Sequence, residues 1–218
     1  ARGCSSVLDL NTGSFSELDR DLVDVNDVVY LQNGLLLAIM FYKQRILMLW
    51  DINKNIFHRY LHQYDLSNKK HEFIESLGLK KNDILGLFPA RSTEGYFTCM
   101  TSNSNGAQLA LLTQVGSREK VYPDLRQEDY AILIWELGHP TNLRLLNQGY
   151  ESGINQITYH PNGLQLASCS EDGTIRLWDI VTGELLKILN IKKLHMSSIA
   201  FSFDGCKLVS CYLDGTIA

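Results

Sequence analysis

A chain of 218 residues with 45% hydrophobic and 20% charged side chains has the composition of an ordinary soluble globular protein, large enough to bury a sizeable core. Its formal net charge of -4 and pI near 5.9 leave no basic field, which argues against nucleic acid as a main partner. The longest apolar runs, such as Leu35 to Tyr42, are too short to span a bilayer and no signal peptide is seen. The five cysteines (Cys4, Cys99, Cys169, Cys206, Cys211) lack C-x-x-C spacing, so the expectation is an intracellular protein, cytoplasmic or nuclear, with reduced thiols.

In chain order, Ser5 to Phe15 (SSVLDLNTGSF) reads as a strand, a turn and a second strand, and residues 1–22 close one structural unit. Residues 23–65 hold a full unit: Val28 to Ile52 sets an Asn33-Gly34 turn between apolar runs and finishes at Trp50-Asp51. Residues 66–95 interrupt the pattern. Ser67 as N-cap, Phe73, Ile74 and Leu77 on one face and Gly78 as a stop predict a short helix there, while Asp83 to Pro89 reads either as the true first strand of the next unit, in place of Tyr96 to Thr101, or as part of a degenerate extra unit. Residues 96–148 resume with strands at Tyr96 to Thr101, Ala107 to Gln114, Tyr130 to Leu137 (ending in Trp135-Glu136) and Asn142 to Leu146. A charged insertion, 117–129, lodges in the middle hairpin as a solvated loop or a partner-contacting arm.

Residues 149–190 carry the clearest unit. Asp172-Gly173 lies between Leu164 to Ser170 and Thr174 to Ile180, a strong hairpin signal, and Trp178-Asp179 ends the third of four short strands. Residues 191–218 begin the unit again: Ile199 to Ile217 overlays Ile157 to Ile175 without a gap, with Asp214-Gly215 on Asp172-Gly173. The repeat length is about 42 residues, and each of the three tryptophans is followed by an acid.

These residues resemble the WD-repeat family, and the resemblance runs through nearly the whole chain, most closely over 149–190. It implies an all-β fold, a β-propeller of four-stranded antiparallel blades. About four to five blades are visible, fewer than the roughly seven usual in that family, so the expectation is a partial propeller with a short helix in an insertion. It also implies a buried hydrogen-bonded set in which Trp178, Ser168 or Ser170, and Asp172 fill three of four roles. The fourth, a His before the first strand, is replaced by Tyr150 after Gly149 and by Lys192 in the next repeat. Trp50, Asp51, Trp135, Glu136, Ser168, Ser170, Asp172, Gly173, Trp178, Asp179, Asp214 and Gly215 are thus structural by this reading.

The family positions at one channel mouth fall on Asn26, Asn155 and Ser197, with Tyr150, Lys192 and His195 just before, and on Glu171 and Leu213 in hairpin turns; these are the candidate partner-binding residues. No phosphate loop, dinucleotide fingerprint, H-E-x-x-H or G-x-S-x-G is present, and His58, His62 and His71 read as exposed edge histidines rather than a zinc site. No catalytic residue, cofactor or metal is expected. The function implied is a non-catalytic scaffold binding proteins or peptides within a hetero-complex, with no membrane insertion. The alternatives are the sensor propeller of a signalling ATPase and the substrate receptor of a ubiquitin ligase. The tetrapeptides WDIN, WELG and WDIV depart from the W-D-x-R of receptors that dock the cullin adaptor.

Overall fold

Period-two runs of apolar residues punctuated by Gly and Asx turns fold here into short antiparallel strands. The computed structural model describes residues 6–8, 15–17, 25–31, 36–41, 46–51, 56–62, 96–114, 130–137, 143–146, 152–190 and 195–218. Within them the strands are β1 (Ser6–Leu8), β2 (Phe15–Glu17), β3 (Val25–Leu31), β4 (Leu36–Phe41), β5 (Ile46–Asp51), β6 (Ile56–His62), β7 (Tyr96–Ser102), β8 (Gln108–Gln114), β9 (Tyr130–Glu136) and β10 (Leu143–Leu146). They continue with β11 (Ile154–Tyr159), β12 (Gln165–Ser170), β13 (Thr174–Asp179), β14 (Leu185–Asn190), β15 (Met196–Phe201) and β16 (Leu208–Tyr212). No helix occurs among the described residues. The helix expected after Ser67, the strand-like 83–89 and the insertion 117–129 lie outside them.

Three four-stranded meanders result, β3-β4-β5-β6, β7-β8-β9-β10 and β11-β12-β13-β14, flanked by two hairpins, β1-β2 and β15-β16. All pairings are antiparallel, and the register repeats: Leu37 faces Trp50, Leu109 faces Trp135 and Leu166 faces Trp178. Each first strand carries a β-bulge near its start, at Val25/Asp27, Phe97/Cys99, Ile154/Gln156 and Met196/Ser198, so the skipped residues are Asn26, Thr98, Asn155 and Ser197.

The core is the stack of sheet faces. Leu31, Ala38, Met40, Leu47 and Leu49 pack on Met100, Leu109, Leu111, Leu133 and Trp135. The opposite face of that second sheet, through Ala110, Leu112, Ile132 and Ile134, packs on Ile157, Tyr159, Leu166 and Trp178 of the third. The third sheet turns Ala167, Cys169 and Ile175 onto Met196, Ile199 and Tyr212 of the last hairpin. Alternation along each strand thus supplies both interfaces of a blade.

The meander gives the stack two unlike ends. At one, the turn end, short connections such as 103–107, 160–164, 180–184 and 202–207 join strands. At the other, the entry end, first strands begin, second-to-third turns sit, and the chain leaves the blades between His62 and Tyr96 and between Gln114 and Tyr130.

Candidate interaction face

The two Asp-Gly-Thr turns are built alike. Asp172 Oδ1 accepts the Thr174 N–H at 2.8 Å and its hydroxyl at 2.6 Å, and Asp214 Oδ1 accepts the same pair from Thr216 at 2.9 and 2.7 Å. Gly173 and Gly215 both sit at φ 81°, a left-handed conformation that an L side chain resists. Asp172 also pairs with the buried Arg176 at 3.7 Å. Trp178, fully buried, donates its indole N–H to Ser168 Oγ at 3.0 Å. Of the two serines the sequence offered, Ser168 is therefore the one joined to the ring, while Ser170 Oγ accepts the Asp172 N–H and donates to Ser152 O. In the other blades the Ser168 place is held by Ile39 and Leu111, so among the described residues this bond belongs to one blade. Trp135 is buried in the first interface and pairs with Leu109, Glu136 ends β9 opposite Gln108, and Trp50 and Asp51 end β5 opposite Leu37 and Leu36. Asp179 serves the next turn, where Oδ1 accepts the Val181 and Thr182 N–H groups at 2.7 and 2.8 Å. These bonds, the Thr182 amide foremost, hold its carboxyl below the usual range.

The bulged residues and those after them stitch blade to blade. Asn26 Nδ2 donates to Thr98 O at 3.4 Å, and Asn155 Nδ2 to Met196 O at 2.6 Å. At the first three bulges the residue that follows reaches an N–H of the next first strand. Asp27 Oδ2 accepts from Met100 N at 2.9 Å, Gln156 Oε1 accepts from Ile199 N at 2.7 Å, and the Cys99 thiol faces the Ile157 N–H. These first strands are not paired to one another, and the side chain supplies an acceptor that a sheet neighbour would otherwise provide. Burial raises the Asp27 carboxyl above its ordinary value against the opposing pull of the Met100 and Val28 amides, and pushes the Cys99 thiol up to about 11. Ser197 Oγ instead donates within its own hairpin, to Cys211 O at 3.2 Å.

The remaining candidates stand around these entries. Glu171 and Leu213 occupy equivalent turn positions and are exposed, Leu213 at 74%. Each donates its N–H across the entry, to Gly153 O at 2.8 Å and His195 O at 3.1 Å. His195 is exposed and holds φ 65°, the one described non-glycine residue in the left-handed region, a strain that position retains at a cost of about 1 kcal/mol. Gly153 is hemmed in by Tyr130 and Glu171: a Cβ there would lie 3.1 Å from the Tyr130 hydroxyl and 3.2 Å from Glu171 Cδ. Asn26, Asn155, Glu171, His195, Ser197 and Leu213 thus share the entry end, whereas Tyr150 and Lys192 lie outside the described residues.

The turn end is latched by residues that sequence reading passed over. His160 Nδ1 accepts the Asn162 N–H at 3.1 Å, which leaves the proton on Nε2, and Nε2 meets Gly205 O of the next hairpin at 3.1 Å. Its ring lies edge-on to Phe201 with centroids 4.9 Å apart. Arg144 reaches from β10 to donate to Ile180 O and Val181 O of the following blade. The only signal for His160 was its place before a Pro-Asn-Gly turn, and nothing local marks Arg144.

Comparison with known proteins agrees with this geometry. A family model described as "WD domain, G-beta repeat" matches residues 141–179 and 183–218. The target of rapamycin complex subunit wat1 of Schizosaccharomyces pombe is 30% identical over 84 residues, 38% of this chain and 26% of that protein. A guanine nucleotide-binding protein subunit beta of Solanum tuberosum is 30% identical over 92 residues, 40% of this chain and 24% of that one. The spindle assembly checkpoint protein bub3 of S. pombe is 38% identical over 55 residues, 25% of this chain and 17% of that protein. The chain spans about a quarter or less of the length of these relatives. Among solved structures, the Cps50 (Swd1) β-propeller domain of Myceliophteria thermophila superposes with a TM-score of 0.63 at 12% identity, over 98% of this chain and 56% of that one. A chain of the COPII outer coat vertex gives 0.63 at 19%, over 93% and 46%. Residues 141–179 and 183–218 thus match WD repeats, and the described strands fold as the blades of a β-propeller.

Proposed function

We propose that this chain is a non-catalytic protein-interaction scaffold, and that it receives partner proteins or peptides on the entry end of its blades. The observation that carries the reading is the departure of both long connections from the entry end, beside exposed Glu171, His195 and Leu213; the turn end also exposes Leu164, Val181 and Phe203, so the test compares the two ends directly. On the turn end, Asn105, Asn162, Asp204, Ser202 and His160 side chains are engaged in closing tight turns and latching neighbours. On the entry end Glu171, His195 and Leu213 are exposed on short anchored segments, and both long connections leave from that side. A rigid framework presenting many short loops together suits recognition of another protein, with affinity concentrated in a few exposed anchors. The names of matched relatives, a subunit of a target of rapamycin complex and beta subunits of guanine nucleotide-binding proteins, support a place in an assembly. The test is quantitative capture from native extract with two surface variants: Glu171→Lys with Leu213→Asp on the entry end, and Asn105→Lys with Thr182→Lys on the turn end. Loss of the stoichiometric partners with the first variant alone supports the reading; loss with the second alone moves the interface to the turn end.

A further inference from the structure

We infer that the joint between the second and third four-stranded blades is a hinge, which opens first at its entry end while its turn end holds. The joint between the first and second blades is the fair comparison, since it too lies between two complete meanders and is filled by apolar side chains, around Trp135 in one case and Trp178 in the other. What separates the two joints is the pair of residues at the bulge of the leading first strand. In the first blade Asn26 donates to Thr98 O at 3.4 Å and Asp27 accepts the Met100 N–H at 2.9 Å. In the third the same two places hold Asn155, which donates to Met196 O at 2.6 Å, and Gln156, which accepts the Ile199 N–H at 2.7 Å. An amide donor followed by an oxygen acceptor is thus the pattern on either side.

The second blade departs from that pattern at both places. Thr98 stands where the asparagines stand, and its hydroxyl is buried with no hydrogen-bond partner among the described residues. Cys99 stands where Asp27 and Gln156 stand; sulfur is a weak acceptor for the Ile157 N–H, and the thiol turns its own hydrogen to Met100 O of the same blade at 3.9 Å. A buried hydroxyl left without a partner costs stability that water restores, so parting the two first strands here hydrates Thr98 and gives up little. At the turn end the same joint is held. Arg144 of the second blade donates to Ile180 O and Val181 O of the third, and Gly163 sits so close that a Cβ on it would lie 3.6 Å from the Ser104 hydroxyl. The strands therefore part at one end and pivot at the other. The opening end is the one where Tyr130 of the second blade and Glu171 of the third crowd Gly153, so the motion changes the spacing of exposed turns on that face.

The inference does not rest on the entry-end reading, since it concerns the free chain and needs no partner. Its test is amide hydrogen exchange of the 218-residue chain, read residue by residue and corrected for intrinsic rates. The Ile157 amide is expected to be at least about tenfold less protected than the Met100 amide, the ratio set by one missing hydrogen bond and one unsatisfied hydroxyl. Thr98→Asn with Cys99→Gln copies the pair of the third blade and should raise Ile157 protection about tenfold. Asn26→Thr with Asp27→Cys should lower Met100 protection by a similar factor and leave Ile157 unchanged. If the first variant does not fold, Thr98→Val removes the hydroxyl at nearly constant shape and should raise Ile157 protection at least about threefold. An Ile157 amide as well protected as Met100 in the wild type, or one that the folded Thr98 variant leaves unmoved, overturns the inference.

Discussion

Gly205 and Gly215 share the same left-handed backbone, φ 71° and 81°, yet their surroundings differ, so replacing each by Ala separates backbone strain from the inter-blade latch. At Gly215 a Cβ meets nothing within 4 Å. The cost of Gly215→Ala is then the left-handed penalty, about 1–2 kcal/mol, reduced by the smaller conformational freedom of Ala in the unfolded chain, about 0.4–1 kcal/mol. A net loss of about 1 kcal/mol follows. At Gly205 the Cβ would lie 2.3 Å from His160 Nε2 and 2.4 Å from Cε1, so the imidazole must leave. Its departure removes the hydrogen bond to Gly205 O, about 0.5–1.5 kcal/mol, and the edge contact with Phe201, about 0.5–1.5 kcal/mol. Gly205→Ala should therefore cost about 2–4 kcal/mol. Urea unfolding followed by tryptophan fluorescence measures both, and in a His160→Ala background the excess at Gly205 should vanish. Equal losses for Gly205→Ala and Gly215→Ala, or an excess that survives without His160, would refute the latch.

Trp178→Ala should cost about 3–5 kcal/mol as a buried ring is lost, and Ser168→Ala about 1–3 kcal/mol; a double-mutant cycle by denaturant melting should show coupling of at least about 0.5 kcal/mol, and strict additivity would deny the bond between them. Tyr159 is buried and its hydroxyl has no hydrogen-bond partner among the described residues, so Tyr159→Phe should raise stability by about 1 kcal/mol; a loss of that size in thermal unfolding would show that the hydroxyl is engaged. Asp27 has a folded-state carboxyl raised by burial, so the folded protein holds that proton more tightly than the unfolded chain, and acidification through the folded value towards about 3.8 adds stability. The stability of Asp27→Asn relative to wild type should accordingly be highest at pH 7 and decline towards pH 4 in parallel denaturant titrations; a difference that grows on acidification contradicts the buried site.

Strands and hairpins were legible because their causes are local. An Asp-Gly or Asn-Gly between alternating runs fixes a turn within four residues, and the third blade emerges with its strands within a residue or so of the sequence reading. The choice between Ser168 and Ser170 was not legible, because both lie on one face of β12, and only the register that sets Leu166 opposite Trp178 brings Ser168 under the indole. Cross-blade partners were invisible for a different reason. Asp27 and Met100 are 73 positions apart and Arg144 and Ile180 are 36, separations that no local period encodes. Asn26 and Asn155, read from family position as partner-facing, prove to hold the backbone of the next blade with their amides. The bulge that aims them is a property of pairing, and composition gives no warning of it.

The run of acceptors along the first strands, carboxylate at Asp27, thiol at Cys99 and amide at Gln156, makes the molecule a short one-dimensional lattice. Each blade speaks only to its two neighbours, so cohesion is a sum of site energies and nearest-neighbour couplings, and disorder introduced at one joint decays along the row instead of spreading at once. The couplings are chemically unlike: a carboxylate raised by burial at the first joint, a thiol that burial keeps protonated at the second, and a neutral amide at the third. In a scaffold of this kind a substitution at one joint is expected to weaken that joint first and the blades beyond it less.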